Sequence, residues 1–236
     1  MQRHKQGNFC IVITASEPRL LQRKISETSR TGCIREIRLD SLSDYDKMKE
    51  KALKIVMPVK ERCVFTLRSA SEAGRNGFHE DAMAESDRKA ALLELARHKP
   101  MLLDVEYNTM KYSHAFAREI ADTKANVLVS YHDFYRTPTL NELKEVVEWS
   151  SANKFGYIKI ATYGESRDDD RTIAKLYDAV PEKMELIAFV MNSRQSRIES
   201  LFHGAPFAYV AWGIPNAPGQ MTLAEARQEF AKMNGN

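Results

Sequence analysis

Lys159 is flanked by Ile158 and Ile160 in GYIKIA, a run with the length and composition of a buried strand. An ammonium held there is desolvated, and desolvation with cationic neighbours such as Arg68 favours the uncharged amine. An uncharged amine attacks carbonyl carbon, so the chemistry suggested by this residue is Schiff-base formation. A second strand-like run, VLVSYHDF, ends on His132 and Asp133 before an aromatic. Taken alone, a strand-end histidine is better explained by a hydrogen bond than by catalysis. Beside an amine nucleophile it becomes a base for a proton next to a carbonyl, since imidazole titrates near neutrality.

The elements that must position these residues recur along the chain. Strand-like runs lie at about 9–15, 33–40, 63–68, 101–106, 127–132, 156–161, 186–191 and 207–211, with helix-like stretches between them. Pro18 opens the first helix, and Thr139 with Glu142, Ser166 with Asp169 and Thr222 with Glu225 read as capping boxes. No Pro/Gly/Ser linker interrupts the alternation, so the expectation is one domain over residues 1–236, a single (β/α)8 TIM barrel. A doubly wound open sheet is the competing fold. It would be announced by a glycine-rich first turn, and that turn here is ITASEPR.

Strand side chains alternate between faces, which sorts the charges. Glu36, Arg38 and Asp40 share one face with Ile34, opposite Ile37 and Leu39. The same count turns Val64, Thr66, Arg68, Asp104, Glu106, Ser130, His132, Tyr157, Lys159 and Ala161 inward. A buried unpaired ion costs several kcal/mol, so such a cluster must pair internally or serve a ligand. Glu36 and Arg38 could be only a structural ion pair. Because the charges crowd toward the C-terminal ends of the strands, where barrel enzymes keep their sites, a ligand is the favoured reading.

Composition excludes several classes. Thirty-five Lys plus Arg against 32 Asp plus Glu leave +3, spread along the chain, which argues against a nucleic-acid partner. No apolar run approaches the roughly 18 residues of a membrane span, and MQRHKQG leads into too short an apolar run for an export signal. A soluble cytoplasmic protein is expected. Cys10, Cys33 and Cys63 show no C-x-x-C spacing and are read as buried free thiols, not as metal ligands or a disulfide.

The segments EIRLD (36–40), FTLRSASE (65–72), SYHDF (130–134), KIAT (159–162), SR (196 and 197) and APGQ (217–220) occur in an order and spacing that resemble type I 3-dehydroquinate dehydratase, the Schiff-base dehydroquinase of the shikimate pathway. The resemblance implies a (β/α)8 barrel that dehydrates 3-dehydroquinate to 3-dehydroshikimate without metal or organic cofactor, as a homodimer. It assigns Lys159 the imine, His132 the base, and Glu72 the carboxylate that orients the histidine. It gives Arg197 the substrate carboxylate, gives Glu36, Arg38 and Arg68 the wall that holds the hydroxyls, and makes Gln220 a substrate contact. The loop WGIPNAPGQ is expected to close over the pocket and exclude water.

Two departures are visible. Asn216 stands where the family commonly has serine, which makes it an altered substrate contact, and MNSRQSR is shorter than the usual M-G-x-x-G-x-x-S-R, which leaves Arg194 competing with Arg197. Arg197 is preferred because it follows a serine and lies seven residues before Gly204. The glycines of EAGRNGFHED do not fit a phosphate cradle and read as a flexible loop. Another Schiff-base barrel, such as a class I aldolase acting on a phosphorylated sugar, is the alternative enzyme, but it would want a phosphate site after strands seven and eight, typically with glycines, where this chain offers an arginine and APGQ instead. A barrel reduced to binding or assembly is the non-enzymatic alternative, and the joint presence of Lys159 and His132 argues against it.

Overall fold

Eight strands alternate with helices in the computed structural model, which describes residues 8–72, 83–215 and 217–235. The strands are Phe9–Thr14 (β1), Ile34–Arg38 (β2), Cys63–Thr66 (β3), Leu102–Glu106 (β4), Val127–Asp133 (β5), Tyr157–Thr162 (β6), Glu185–Val190 (β7) and Ala208–Ala211 (β8). The helices are Pro18–Thr28 (α1), Tyr45–Val56 (α2), Glu85–Arg97 (α3), Tyr107–Lys111 (α4), His114–Asp122 (α5), Leu140–Ala152 (α6), Arg167–Tyr177 (α7), Arg194–His203 (α8) and Leu223–Met233 (α9). The strands run parallel in the order β7-β6-β5-β4-β3-β2-β1-β8, and the fold is a (β/α)8 barrel. The doubly wound alternative is thereby set aside.

Each strand begins within two residues of its expected start, because β-branched and aromatic runs bounded by turn residues leave little freedom. The three capping boxes form: Thr139, Ser166 and Thr222 accept from the helix backbone while Glu142, Asp169 and Glu225 reach back to the cap N–H. Each such cap contributes about 1 kcal/mol. Two strands, β2 and β3, stop two residues early, and in both the backbone is diverted to side chains. After β2, the Ser41 hydroxyl takes the Arg38 carbonyl and accepts from Ala15 N–H, turning Leu39–Ser41 into a 3-10 segment. After β3, the Leu67 carbonyl is taken by Arg88. The stretch after β4 also departs from simple alternation, since it holds two helices, α4 and α5.

The chain divides into two compact units, Val12–Leu128 and a second made of Met1–Ile11 with Val129–Asn236. Within the first, β2 and β3 pair with Glu36 opposite Val64 and Arg38 opposite Thr66, and β3 pairs with β4 with Thr66 opposite Asp104. Ile37, Leu39, Phe65, Leu92, Leu95 and Leu103 fill its core. Within the second, β6 and β7 pair with Lys159 opposite Ile187, and Ile158, Ile160, Ile187 and Ala188 are fully buried.

β7 and β8, the two ends of the strand order, both belong to the second unit, where Phe189 and Tyr209 meet with ring centres 6.4 Å apart. On the margin of β7, the Tyr177 hydroxyl accepts from Ala188 N–H at 2.8 Å and donates to Ala188 C=O at 2.9 Å. The Ser196 hydroxyl accepts from Val190 N–H at 3.0 Å. Two helices thus satisfy backbone groups that would otherwise need a neighbouring strand. The three cysteines are free and buried, as expected. Among the described residues, no helix is long and apolar enough to cross a membrane.

Candidate active site

In the unit Val12–Leu128 the predicted polar residues rise from the ends of β2, β3 and β4. Glu36 accepts from the Thr66 hydroxyl at 3.1 Å, so the alternation argument put both on the correct face. Arg38 forms a two-point pair with Asp40, Nε to Oδ1 at 3.0 Å and Nη2 to Oδ2 at 2.6 Å. Its carboxylate partner in this pair is Asp40 instead of Glu36, because the turn after β2 carries Asp40 back over the strand end. That pairing holds the guanidinium protonated and fixes its plane.

Arg68 is buried between acids, with Nη2 2.7 Å from Asp104 Oδ2 and Nη1 3.4 Å from Glu106 Oε1. Glu106 also accepts from Ser69 N–H at 2.9 Å and from Arg88 Nη1 at 2.8 Å. The charged side chains at these strand ends are therefore largely paired with one another. Glu72 ends a 3-10 turn, Ala70–Glu72, and accepts from Asn108 Nδ2 at 3.1 Å. Burial pushes its carboxyl up to about 7; Arg68 opposes the shift, while Glu106 adds to it by repulsion.

In the other unit Lys159 is 6% exposed between two fully buried isoleucines. Its Nζ lies 4.2 Å from the centre of the Tyr209 ring. His132 stands near the end of β5, the neighbour of β6 in the strand order, and stacks on Phe134 with ring centres 5.8 Å apart. Asp133 does local work: its Oδ1 accepts from Tyr135 N–H and Arg136 N–H, closing the turn that follows.

Arg197 is 4% exposed and its guanidinium carbon lies 4.6 Å from the centre of the Phe189 ring. Nε donates to Met191 C=O at 2.9 Å and Nη2 to Pro218 C=O at 3.1 Å. Among the described residues it forms no ion pair, and burial lowers its pKa to about 10, which still leaves it charged at neutral pH. Arg194, its competitor, is half exposed and pairs with Glu225 at 2.9 Å. Gln220 is buried, its N–H donating to Ala217 C=O. The bend before it depends on Gly219, at φ +66°, where a Cβ would lie 2.6 Å from Met191 O. Asn216, residues 73–81 of EAGRNGFHED and the opening MQRHKQG lie outside the described residues.

Sequence reasoning missed four contributors. Tyr209 and Phe189 read only as apolar strand residues, yet each supports a cation. Arg88 was overlooked although a signal existed: it falls on the same stripe as Ala91, Leu92 and Leu95, and a charge on the buried face of a helix needs a partner. Asn192 brackets Gly164, accepting from its N–H at 3.0 Å and donating to its C=O at 2.7 Å, which ties the loop after β6 to the loop after β7. Among the described residues, no cluster of three or more His, Cys, Asp or Glu side chains could hold a metal ion.

The family model for type I 3-dehydroquinase matches residues 9–236. The chain is similar to the 3-dehydroquinate dehydratase of Pyrococcus abyssi, with 34% identity over 202 residues covering 84% of this chain and 86% of that one. To the 3-dehydroquinate dehydratase of Thermococcus gammatolerans the identity is 29% over 226 residues, 95% and 98% of the two chains. Among solved structures, 3-dehydroquinate dehydratase from Geobacillus kaustophilus superposes with a TM-score of 0.83 at 20% identity, covering 98% of this chain and 92% of that one. Type I 3-dehydroquinate dehydratase from Clostridium difficile, solved with covalently modified comenic acid, gives 0.84 at 18% identity, covering 98% and 94%.

Proposed function

The chain belongs to the type I 3-dehydroquinase family, and from that premise we propose that it converts 3-dehydroquinate to 3-dehydroshikimate and water through an imine on Lys159. The observation that carries the reading is the setting of Lys159: an amine buried in the sheet, flanked by Ile158 and Ile160, with its Nζ over an aromatic face. Such an amine is shielded from the water that competes for it, and nothing in the packing of a strand calls for it.

The steps follow from the imine. Lys159 attacks the C3 carbonyl carbon, and loss of one water leaves a protonated C=N bond. That group accepts electrons better than a ketone, so His132 can remove the neighbouring C2 proton to give a neutral enamine instead of a bare carbanion. The enamine electrons return, the C1–O bond breaks, and the same imidazole delivers its proton to the departing hydroxyl. One base serves both ends because the elimination is syn. Water then hydrolyses the imine and restores the amine, for a net loss of one water. The lysine itself supplies the electron sink, so this route calls for no metal or organic cofactor.

Family resemblance, not geometry, is the support for assigning both units to one substrate. On that assignment Glu72 orients the histidine, Glu36, Arg38 and Arg68 hold the ring hydroxyls, and Gln220 and Asn216 contact substrate from the last loop. Arg197 takes the carboxylate, a role supported by its buried guanidinium and by acceptors that carry no charge. The rest of the proposal is one (β/α)8 domain, a homodimer, acting in the cytoplasm on the shikimate pathway, with neither nucleic acid nor membrane as partner.

The test is borohydride reduction in the presence of 3-dehydroquinate, read by mass and peptide mapping, together with the rise in absorbance of the conjugated enone. An adduct on Lys159 with turnover is expected. A folded protein giving neither signal overturns the proposal, and trapping by a sugar phosphate alone would favour an aldolase.

A further inference from the structure

Arg88 has no part in the chemistry above, yet it is among the most heavily bonded side chains of its unit. At 3% exposure, its Nη1 reaches Glu106 Oε2 at 2.8 Å and Leu67 C=O at 3.0 Å, and its Nη2 reaches the Thr109 hydroxyl at 2.8 Å. Nε and Nη2 also hold both oxygens of Glu85 at 2.7 and 2.8 Å. A buried ionic arrangement of this kind adds little stability over apolar side chains of the same volume. What it fixes is geometry.

The geometry it fixes converges on Glu72 from two sides. On one, Glu106 accepts from Ser69 N–H at 2.9 Å, and Ser69 C=O accepts from Glu72 N–H at 3.1 Å, which starts the turn that raises the carboxylate. Arg88 grips this stretch through Glu106 and through Leu67. On the other, Asn108 donates to Glu72 Oε1 at 3.1 Å, and Thr109, the next residue on α4, is held by Arg88. One planar guanidinium therefore spans the strand end and the helix that together aim a single carboxyl group. A lysine ammonium, a point charge on a flexible stem, cannot bridge both at once.

We propose that Arg88 is a positioning residue of the dehydratase, setting the orientation of Glu72 by clamping Glu106, the Leu67 carbonyl and Thr109 into one frame. The inference rests on the function proposed above, in which Glu72 orients the catalytic histidine.

The experiment is a kinetic double-mutant cycle between Arg88→Met and Glu72→Gln, with borohydride trapping and thermal unfolding measured on every variant. Arg88→Met is expected to lower kcat by about tenfold or more while still forming the trapped adduct, as a carboxylate displaced by a fraction of an ångström would. In the Glu72→Gln background the same change should cost no more than about twofold, because groups acting through one another are not additive. Arg88→Lys should fall nearer Arg88→Met than wild type. If Arg88→Met does not fold, Thr109→Val and Arg88→Lys carry the same cycle. A wild-type-like kcat in a folded Arg88 variant, or equal losses in both backgrounds, overturns the role of Arg88 alone. Absence of turnover by the wild type overturns the proposed function, and this inference with it.

Discussion

Arg197 lies face-on against Phe189, its guanidinium carbon 4.6 Å from the ring centre, with its hydrogen bonds going to uncharged carbonyls. The ring attracts the cation without neutralising it, so a full positive charge is kept buried and available to an anion. Holding that charge costs stability, and the return is binding. Arg197→Met is accordingly expected to melt at or slightly above the wild-type temperature while kcat/KM falls about 10–100-fold, mostly through KM, the range for a charged hydrogen-bond pair. Arg194→Ala, on an exposed pair, should change KM less than about twofold. Calorimetry and initial rates on the two variants check both statements.

Removal of Lys159 and of His132 should separate two steps. Lys159→Ala is expected to lose the reducible adduct and turnover together. His132→Ala should keep the adduct, formed more slowly, with kcat reduced about 100- to 10,000-fold, the usual worth of a positioned acid–base group. Near-normal turnover by Lys159→Ala would contradict the imine route.

Glu72 predicts opposite pH trends for stability and activity. Its carboxyl, near 4.5 ordinarily, is pushed up to about 7, chiefly by burial. The folded state then keeps a proton that the unfolded chain releases, so stability falls as pH rises from about 4.5 to about 7. Glu72→Gln lacks this term and should lose less melting temperature than wild type between about pH 5 and pH 8. Activity should run the other way, rising through about 7 as the carboxylate forms, with Glu72→Gln slow and flat across the range. Parallel slopes for the two proteins in both measurements would contradict the assignment.

Much of this was legible in the sequence because period and capping are local signals. The strand through Lys159, the boxes at Thr139, Ser166 and Thr222, and the shared face of Glu36 and Thr66 each follow from residues within a few positions of one another. What was not legible depends on pairing across long separations. Arg88 meets Glu106 eighteen residues on, and Arg68 meets Asp104 thirty-six residues on. The turn that returns Asp40 to Arg38, leaving β2 at Arg38, is set by Ser41 contacting the end of β1. The aromatic supports under Lys159 and Arg197 are invisible for another reason: core tyrosine and phenylalanine look alike whether or not a cation rests on them.

Tyr177→Phe removes one hydroxyl that serves as both donor and acceptor to Ala188. Two buried backbone groups lose their partner, which should cost about 1–3 kcal/mol of stability in urea unfolding. KM should stay within about twofold, since the Tyr177 hydroxyl contacts the backbone of β7 and not a predicted substrate group.

Gly219→Ala sets a Cβ 2.6 Å from Met191 O at φ +66°. Both the clash and the backbone conformation oppose it, and the displaced segment carries the Pro218 carbonyl bound by Arg197. KM should rise about tenfold or more, with a loss of at least about 1 kcal/mol in stability. Unchanged KM would separate this loop from carboxylate binding.

The hydroxyls along β7 bear on how the chain behaves among copies of itself. A terminal strand with vacant amides is a template onto which another chain can add, the usual first step toward aggregation. On β7 the amides of Ala188 and Val190 are already occupied by Tyr177 and Ser196, side chains of the helices packed beside it. At Ala188 and Val190 this margin of the sheet is thus sealed against strand addition by hydroxyls of the packed helices, and the apolar stretch LIAFV can stand at the end of the ladder without recruiting a stranger.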